Sequence, residues 1–162
     1  MTNSIPEFEE ADCVLITGSN TSEAHPMIGT RIMRAKERGA TVIVVDPRST
    51  QMSMLADLHL KQQPGTDVAW LNGMMNLIIS EGLADEKFIK DRTEGFSDLK
   101  KAVKKYKPEY VEEISGIPAD QLREAALLYG QAESASIVYS MGITQHITGI
   151  DNVLSCANLA ML

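Results

Sequence analysis

The apolar positions of this chain fall into short unbroken runs rather than an alternating pattern. CVLIT (13–17) and TVIVV (41–45) are the clearest, and such runs predict strands covered on both faces. The second ends abruptly in Asp46-Pro47-Arg48, a carboxylate, a proline and a guanidinium where a buried strand would otherwise go on. Between the runs lies MIGTRIMRAKERG. Its Ile28, Ile32 and Ala35 share one helical face, Arg31, Arg34 and Arg38 lie off it, and Gly39 is a suitable stop. Strand, loop, helix and strand make a βαβ unit, which implies parallel strands and a right-handed crossover. DLHL (57–60) predicts a third short strand and QQPG a turn. Thr66 is placed to cap a helix starting at Asp67, whose Val68, Leu71, Met75 and Ile78 recur at helical spacing before Glu81-Gly82 ends it.

Residues 85–131 read as several helices with short breaks. SDLKKAVKKY is amphipathic, and its Lys100, Lys101, Lys104, Lys105 and Lys107 read as a solvated face. SGIPADQLREAALLYGQ has proline near its first turn and an apolar face of Leu122, Ala125, Ala126 and Tyr129. SASIVYSMG (134–142) is strand-like, GITQHITG reads as a loop, and DNVLSCANLAML is helical through Val153, Leu154, Ala157 and Met161. The expected fold is a single α/β domain over 1–162. It has an open, mainly parallel sheet with helices on both faces, as in dinucleotide-binding folds, and a helical insert around residues 85–131. The last helix runs out at Leu162 in mid-face, so the chain is expected to be a piece of a longer one.

Composition narrows the function. The chain has 162 residues, 44% apolar and 23% charged, with a net charge of −7. An acidic balance argues against broad nucleic-acid binding, which needs a basic surface. Cys13 and Cys156 are far apart and form no Cys-x-x-Cys pair, so a disulfide framework or structural zinc site is not expected. Trp70 and the nine methionines read as core filler. No run approaches the ~20 apolar residues of a membrane span, and the acidic start MTNSIPEFEE lacks the pattern of a signal peptide.

In an open parallel sheet, ligands bind beyond the carboxyl ends of the strands. The first loop there is GSNTSEAHP: Gly18 permits close backbone approach, Ser19, Asn20, Thr21 and Ser22 offer polar groups, and the next helix N-terminus favours an anion. It lacks the Gly-x-Gly-x-x-Gly fingerprint of an NAD site, and a capped turn without a ligand would use the same residues. In the second loop, Asp46 stands where dinucleotide folds place the acidic ribose partner, and its carboxylate also suits the donor edge of guanine. Arg48 can reach a phosphate or stack on a base; a strand-end salt bridge is the alternative. In the third, Pro64-Gly65-Thr66-Asp67, the helix dipole alone would favour Asp67. His146 ends the loop 141–146 as a lone histidine, His25 reads as structural and His59 as satisfied within a strand. No nucleophile with a partnered base and no metal-ligand cluster stands out.

These loops, in this order, resemble the molybdopterin oxidoreductase family, with the nearest likeness to formate dehydrogenase alpha subunits; the same domain of a nitrate reductase, which shares Asp-Pro-Arg and Pro-Gly-Thr-Asp, or a cofactor-free structural subunit of a respiratory complex, is the alternative. The likeness runs from ADCVLITGSNTSEAHP through TVIVVDPR and QQPGTD to FIKDRTEGF, YVEEISGIPADQL, YSMGITQH and NVLSCANLAML. It implies a cofactor of two molybdopterin guanine dinucleotides around molybdenum or tungsten, with this segment cradling one guanine nucleotide. By motif, Gly18, Ser19, Asn20, Glu23, Ala24 and His25 would line the dinucleotide, and Asp46 and Arg48 would hold its guanosine part. Gly65 and Asp67 would contact guanine or ribose, and Met141, Gly142, Gln145 and His146 would approach the pterin. The family's [4Fe–4S] cysteines, its metal-ligating cysteine or selenocysteine and its active-site arginine have no counterpart here. The resemblance therefore implies a parent that oxidises formate to carbon dioxide. That parent would use the rest of its polypeptide and iron–sulfur electron-transfer subunits as partners, in the cytoplasm or exported, without inserting in the membrane itself. The segment alone is expected to be inactive.

Overall fold

The structure, a computed structural model, describes residues 3–162. Four strands, β1 (Cys13–Thr17), β2 (Thr41–Val45), β3 (Leu58–Leu60) and β4 (Ala135–Tyr139), form one parallel sheet in the order β3-β2-β1-β4. In the central strand every residue is buried, which is why CVLIT is unbroken rather than alternating. Cys13 pairs with Thr41 and Ala135, and Thr17 with Val45 and Tyr139, so the strands finish level and their following loops share one edge. The chain leaves β1 toward β2 and β3, then returns to β4 on the other side. This reversal of strand order lies between β1 and β4.

Alternate residues of the strands feed two cores. Val14, Ile16, Val42 and Val44 face Phe8 of a 3-10 helix (Ile5–Glu9), Ile32 of α2 (Pro26–Glu37) and Met52 of α3 (Gln51–Leu55). Cys13, Leu15, Ile43, Val45 and Leu60 face the larger layer built on α4 (Asp67–Ser80). Trp70, Leu71, Met74 and Met75 of α4 are fully buried there, and each such side chain contributes about 1.5–3 kcal/mol of transfer free energy. The helices between β3 and β4 continue as α5 (Glu86–Arg92), α6 (Phe96–Val103), α7 (Pro108–Ser115) and α8 (Ala119–Gly130), matching the expected insert. Leu122, Ala125, Ala126 and Tyr129 are its buried face on α8. Cys13 and Cys156 are free and buried, and the five lysines of 100–107 are exposed. No described helix is long and apolar enough to cross a membrane.

Several expectations are corrected. Thr66 precedes α4, but its hydroxyl donates backwards to the Gln63 carbonyl at 2.7 Å and caps nothing. The two loops read as irregular each contain one helical turn, α1 (Thr21–Ala24) and α9 (Met141–Thr144). On α10 (Gly149–Ala160) the buried face is Asn152, Ser155, Cys156 and Leu159, while Leu154 and Met161 are exposed and Val153 is half-buried. The polar pair wins because Asn152 reaches back to bond the Ile143 carbonyl of α9. Among the methionines, Met52, Met74 and Met75 fill the core, but Met27, Met33, Met54, Met141 and Met161 are exposed; Met1 lies outside the described residues. Arg31, Arg34 and Arg38, off the apolar face of α2 as expected, converge on Glu9. Arg31, its hydrogen-bond partner, is the main reason the Glu9 carboxyl sits below its usual range.

Candidate functional site

The loops after the four parallel strands meet at one edge and are bound to each other. Gly18 follows β1 with φ +55°, a left-handed conformation that favours glycine. Its N–H donates to the Val45 carbonyl at 3.4 Å, and its own carbonyl accepts from Gly142 N–H at 3.0 Å. The close approach expected of Gly18 is thus made to another backbone. A Cβ built on Gly142 would stand 2.5 Å from Gly18 Cα. Ser19 is buried with its hydroxyl 3.4 Å from that of Thr21, and Asn20 Oδ1 accepts from Ser22. Glu23, Ala24 and His25 are exposed on α1 and the turn into α2.

Asp46 and Arg48 are paired with each other. Arg48 Nε and Nη2 donate to the two carboxylate oxygens, each at 3.0 Å, and Arg48 N–H adds a bond of 2.9 Å to Oδ1. The Asp46 side chain is 2% exposed and that of Arg48 64%. The carboxylate is therefore sealed inside the turn, and the guanidinium presents its remaining edge to solvent. Asp46 stiffens this arrangement through its backbone as well. His59 Nε2 lies 2.8 Å from its carbonyl oxygen, and its N–H donates to Leu60. Hydrogen bonding to Asp46, then the charges of Asp46 and Glu23, hold the Arg48 pKa above its ordinary value. Glu23 of the first loop therefore stands close enough for Arg48 to feel it. Lys61 bonds Ser49 at 3.2 Å and ties the second loop to β3.

Gly65 has φ +85° and open space where a Cβ would stand. Asp67 is buried at the first turn of α4, where Trp70 Nε1 donates to it over 3.4 Å. That single long bond leaves a buried carboxylate with acceptor capacity to spare. Met141, Gly142 and Gln145 are exposed on and after α9, and His146 is half-buried. Among the described residues, neither His25 nor His146 makes a side-chain hydrogen bond, so the structure gives neither a specific role.

Two buried polar atoms among the described residues lack a partner: Thr17 Oγ1, at the end of β1, and Gln62 Oε1, just after β3. Both belong to the same sheet edge. A buried polar group without a protein partner marks a missing polar neighbour. The sequence hinted at Thr17 only as the one hydroxyl closing an aliphatic strand. The concavities elsewhere include one of about 350 Å³ between α2 and α3 and one of about 370 Å³ between α5, α6 and the end of α10. They gather none of these polar groups.

The sequence pattern of the molybdopterin oxidoreductase family matches residues 1–162. The chain belongs to the molybdopterin oxidoreductase family. Among relatives, it is 54% identical over all 162 residues to the F420-dependent formate dehydrogenase 2 subunit alpha of Methanococcus maripaludis. It is 42% identical over the same length to formate dehydrogenase H of Escherichia coli. It spans 24% and 23% of those chains, about a quarter of their length. Acetylene hydratase from Pelobacter acetylenicus superposes with a TM-score of 0.90 at 32% identity, over 96% of this chain and 22% of that one. Membership of this family agrees with the resemblance carried by the loop motifs, and the parallel sheet with the expected fold class.

Proposed function

We propose that this chain is the part of a formate dehydrogenase alpha subunit that cradles one molybdopterin guanine dinucleotide, and that it is inactive alone. The observation that carries the reading is the convergence of Gly18–His25, Asp46–Arg48, Gly65–Asp67 and the α9 segment on one edge of a parallel sheet. The residues fit such a group. Arg48 offers a charged, bidentate-capable edge for a phosphate, Asp67 is a buried acceptor for base or ribose donors, and Thr17 Oγ1 and Gln62 Oε1 lack partners on the same edge. Gly65 leaves open space beside Asp67. The bound cofactor would supply two-electron chemistry at molybdenum or tungsten, here the oxidation of formate to carbon dioxide. The chain's own part is to bind and orient: Asp46 holds Arg48, Arg48 holds the phosphate, Asp67 reads the guanosine, and Met141 and Gln145 approach the pterin. Three relatives are named for F420 dependence, which makes F420 the acceptor to try first with the whole enzyme.

The test is ligand-induced thermal stabilisation. GDP or GMP raises the melting temperature more than NAD does, and Asp67→Ala abolishes the GDP shift. Equal shifts with NAD, or a GDP shift untouched by Asp67→Ala, overturn the assignment.

A further inference from the structure

We infer that Asn152, on the buried face of α10, is the positioning residue that holds the pterin-side segment 141–146 in its working place; this rests on the cofactor reading above. A single helical turn such as α9 (Met141–Thr144) does not hold itself, because nucleation fixes several residues for one hydrogen bond. Here it is clamped on both sides by the rest of the protein. On the sheet side, Gly142 N–H bonds the Gly18 carbonyl. On the helix side, Asn152 is fully buried, and its Nδ2 donates to the Ile143 carbonyl at 3.0 Å. Its Oδ1 accepts from Thr148 Oγ1 at 3.3 Å, so the side-chain amide is engaged at both ends. Close packing completes the clamp: a Cβ on Gly149 would stand 2.2 Å from the Thr144 carbonyl oxygen. Met141 and Gln145, the residues assigned to the pterin, are exposed, and the clamp fixes the backbone that carries them. Asn152 does not itself reach the ligand edge, which is why it counts as a positioning residue.

Asn152→Asp keeps the shape and removes the donor. Hydrogen exchange of the Gly142, Ile143 and Gln145 amides should then accelerate about tenfold or more, the cost of leaving a buried carbonyl unpaired, while β1 and α4 keep their protection. Binding of molybdopterin guanine dinucleotide, released anaerobically from a molybdoenzyme, should weaken about tenfold by the same loss, with GDP binding unchanged. If Asn152→Asp does not fold, Thr148→Val, which removes the donor to Oδ1, gives the same pattern at smaller amplitude. Faster exchange spread evenly over β1 and α4 overturns the proposal, because Asn152 is then only a core residue. Local acceleration with unweakened dinucleotide binding also overturns it. If the unaltered protein binds neither GDP nor the dinucleotide, the cofactor reading itself fails, and this inference falls with it.

Discussion

Gly142 donates its backbone N–H to the carbonyl oxygen of Gly18 at 3.0 Å, and neither residue has room for a side chain. This contact spans the gap between β1 and β4, where the strand order reverses and an open α/β sheet normally offers its crevice. The crevice is therefore floored by backbone. Gly142→Ala is expected to cost about 1–3 kcal/mol by overpacking. Gly18→Ala should cost more, since a left-handed φ adds about 1–2 kcal/mol for a residue with a Cβ. Gly65→Ala, with open space around it, should lose only that conformational share. Urea denaturation checks the order, and equal losses at all three positions would mean the Gly18–Gly142 contact is not tight in solution.

Asp46 and Arg48 divide their work by burial. Asp46→Asn keeps the shape but weakens a buried charge-assisted pair and should cost about 1–3 kcal/mol, read as a lower urea midpoint. Arg48→Met sheds the exposed cation, and GDP binding should weaken by about tenfold, the worth of one charge-assisted phosphate contact. A titration in which Asp46→Asn leaves both midpoint and GDP affinity intact would contradict the sealed turn.

How far the sequence alone reached follows the same division between local and tertiary causes. Unbroken runs such as CVLIT announced a parallel sheet, because only strands covered on both faces tolerate them. The loop motifs were legible because turns and helix starts favour particular residues locally. The buried face of α10 was not. Val153, Leu154, Ala157 and Met161 form a plausible apolar stripe, yet the fold buries Asn152 and Ser155 instead. The deciding partner, the Ile143 carbonyl, lies on another element, and helical periodicity cannot see it. Likewise, Asp46 pairing with Arg48 was one of two readings, and only burial shows which group faces inward.

Burial pushes both the Cys13 and Cys156 thiols up to about 12; negative neighbours, including Asp57 at Cys13 and Asp67 at Cys156, add to it. Tyr129 is raised for the same first reason. Groups raised in the folded state contribute stability that is complete below the unfolded pKa. For a thiol that lies at about 8.5, and the contribution is lost as pH climbs from there through the folded value. The melting temperature should hold between pH 7 and about 8.5, the ordinary thiol pKa, and fall above it, with Cys156→Ala falling less steeply. Neither thiol should react with a disulfide reagent at pH 8 until urea unfolds the chain, since the thiolate is the reactive form. Prompt release of either thiol from the native protein would place it nearer the surface.

Thr17 separates the two explanations of an unpartnered buried hydroxyl. It is fully buried on the α4 side of β1, in line with Cys13 and Leu15, and its Oγ1 has no protein partner. If that hydroxyl waits for the ligand, the ligand-free protein bears its desolvation cost without return. Thr17→Val, nearly the same shape, should then stabilise the free protein by about 1 kcal/mol and reduce the extra stabilisation given by the dinucleotide. If instead a buried water serves the hydroxyl, the valine removes that water's anchor and the protein becomes less stable. Paired melts with and without ligand distinguish the two, because the sign of the change in the free protein is opposite. A stabilised Thr17→Val that binds the dinucleotide as well as its parent would remove Thr17 from the site and leave its orphaned oxygen a purely structural cost.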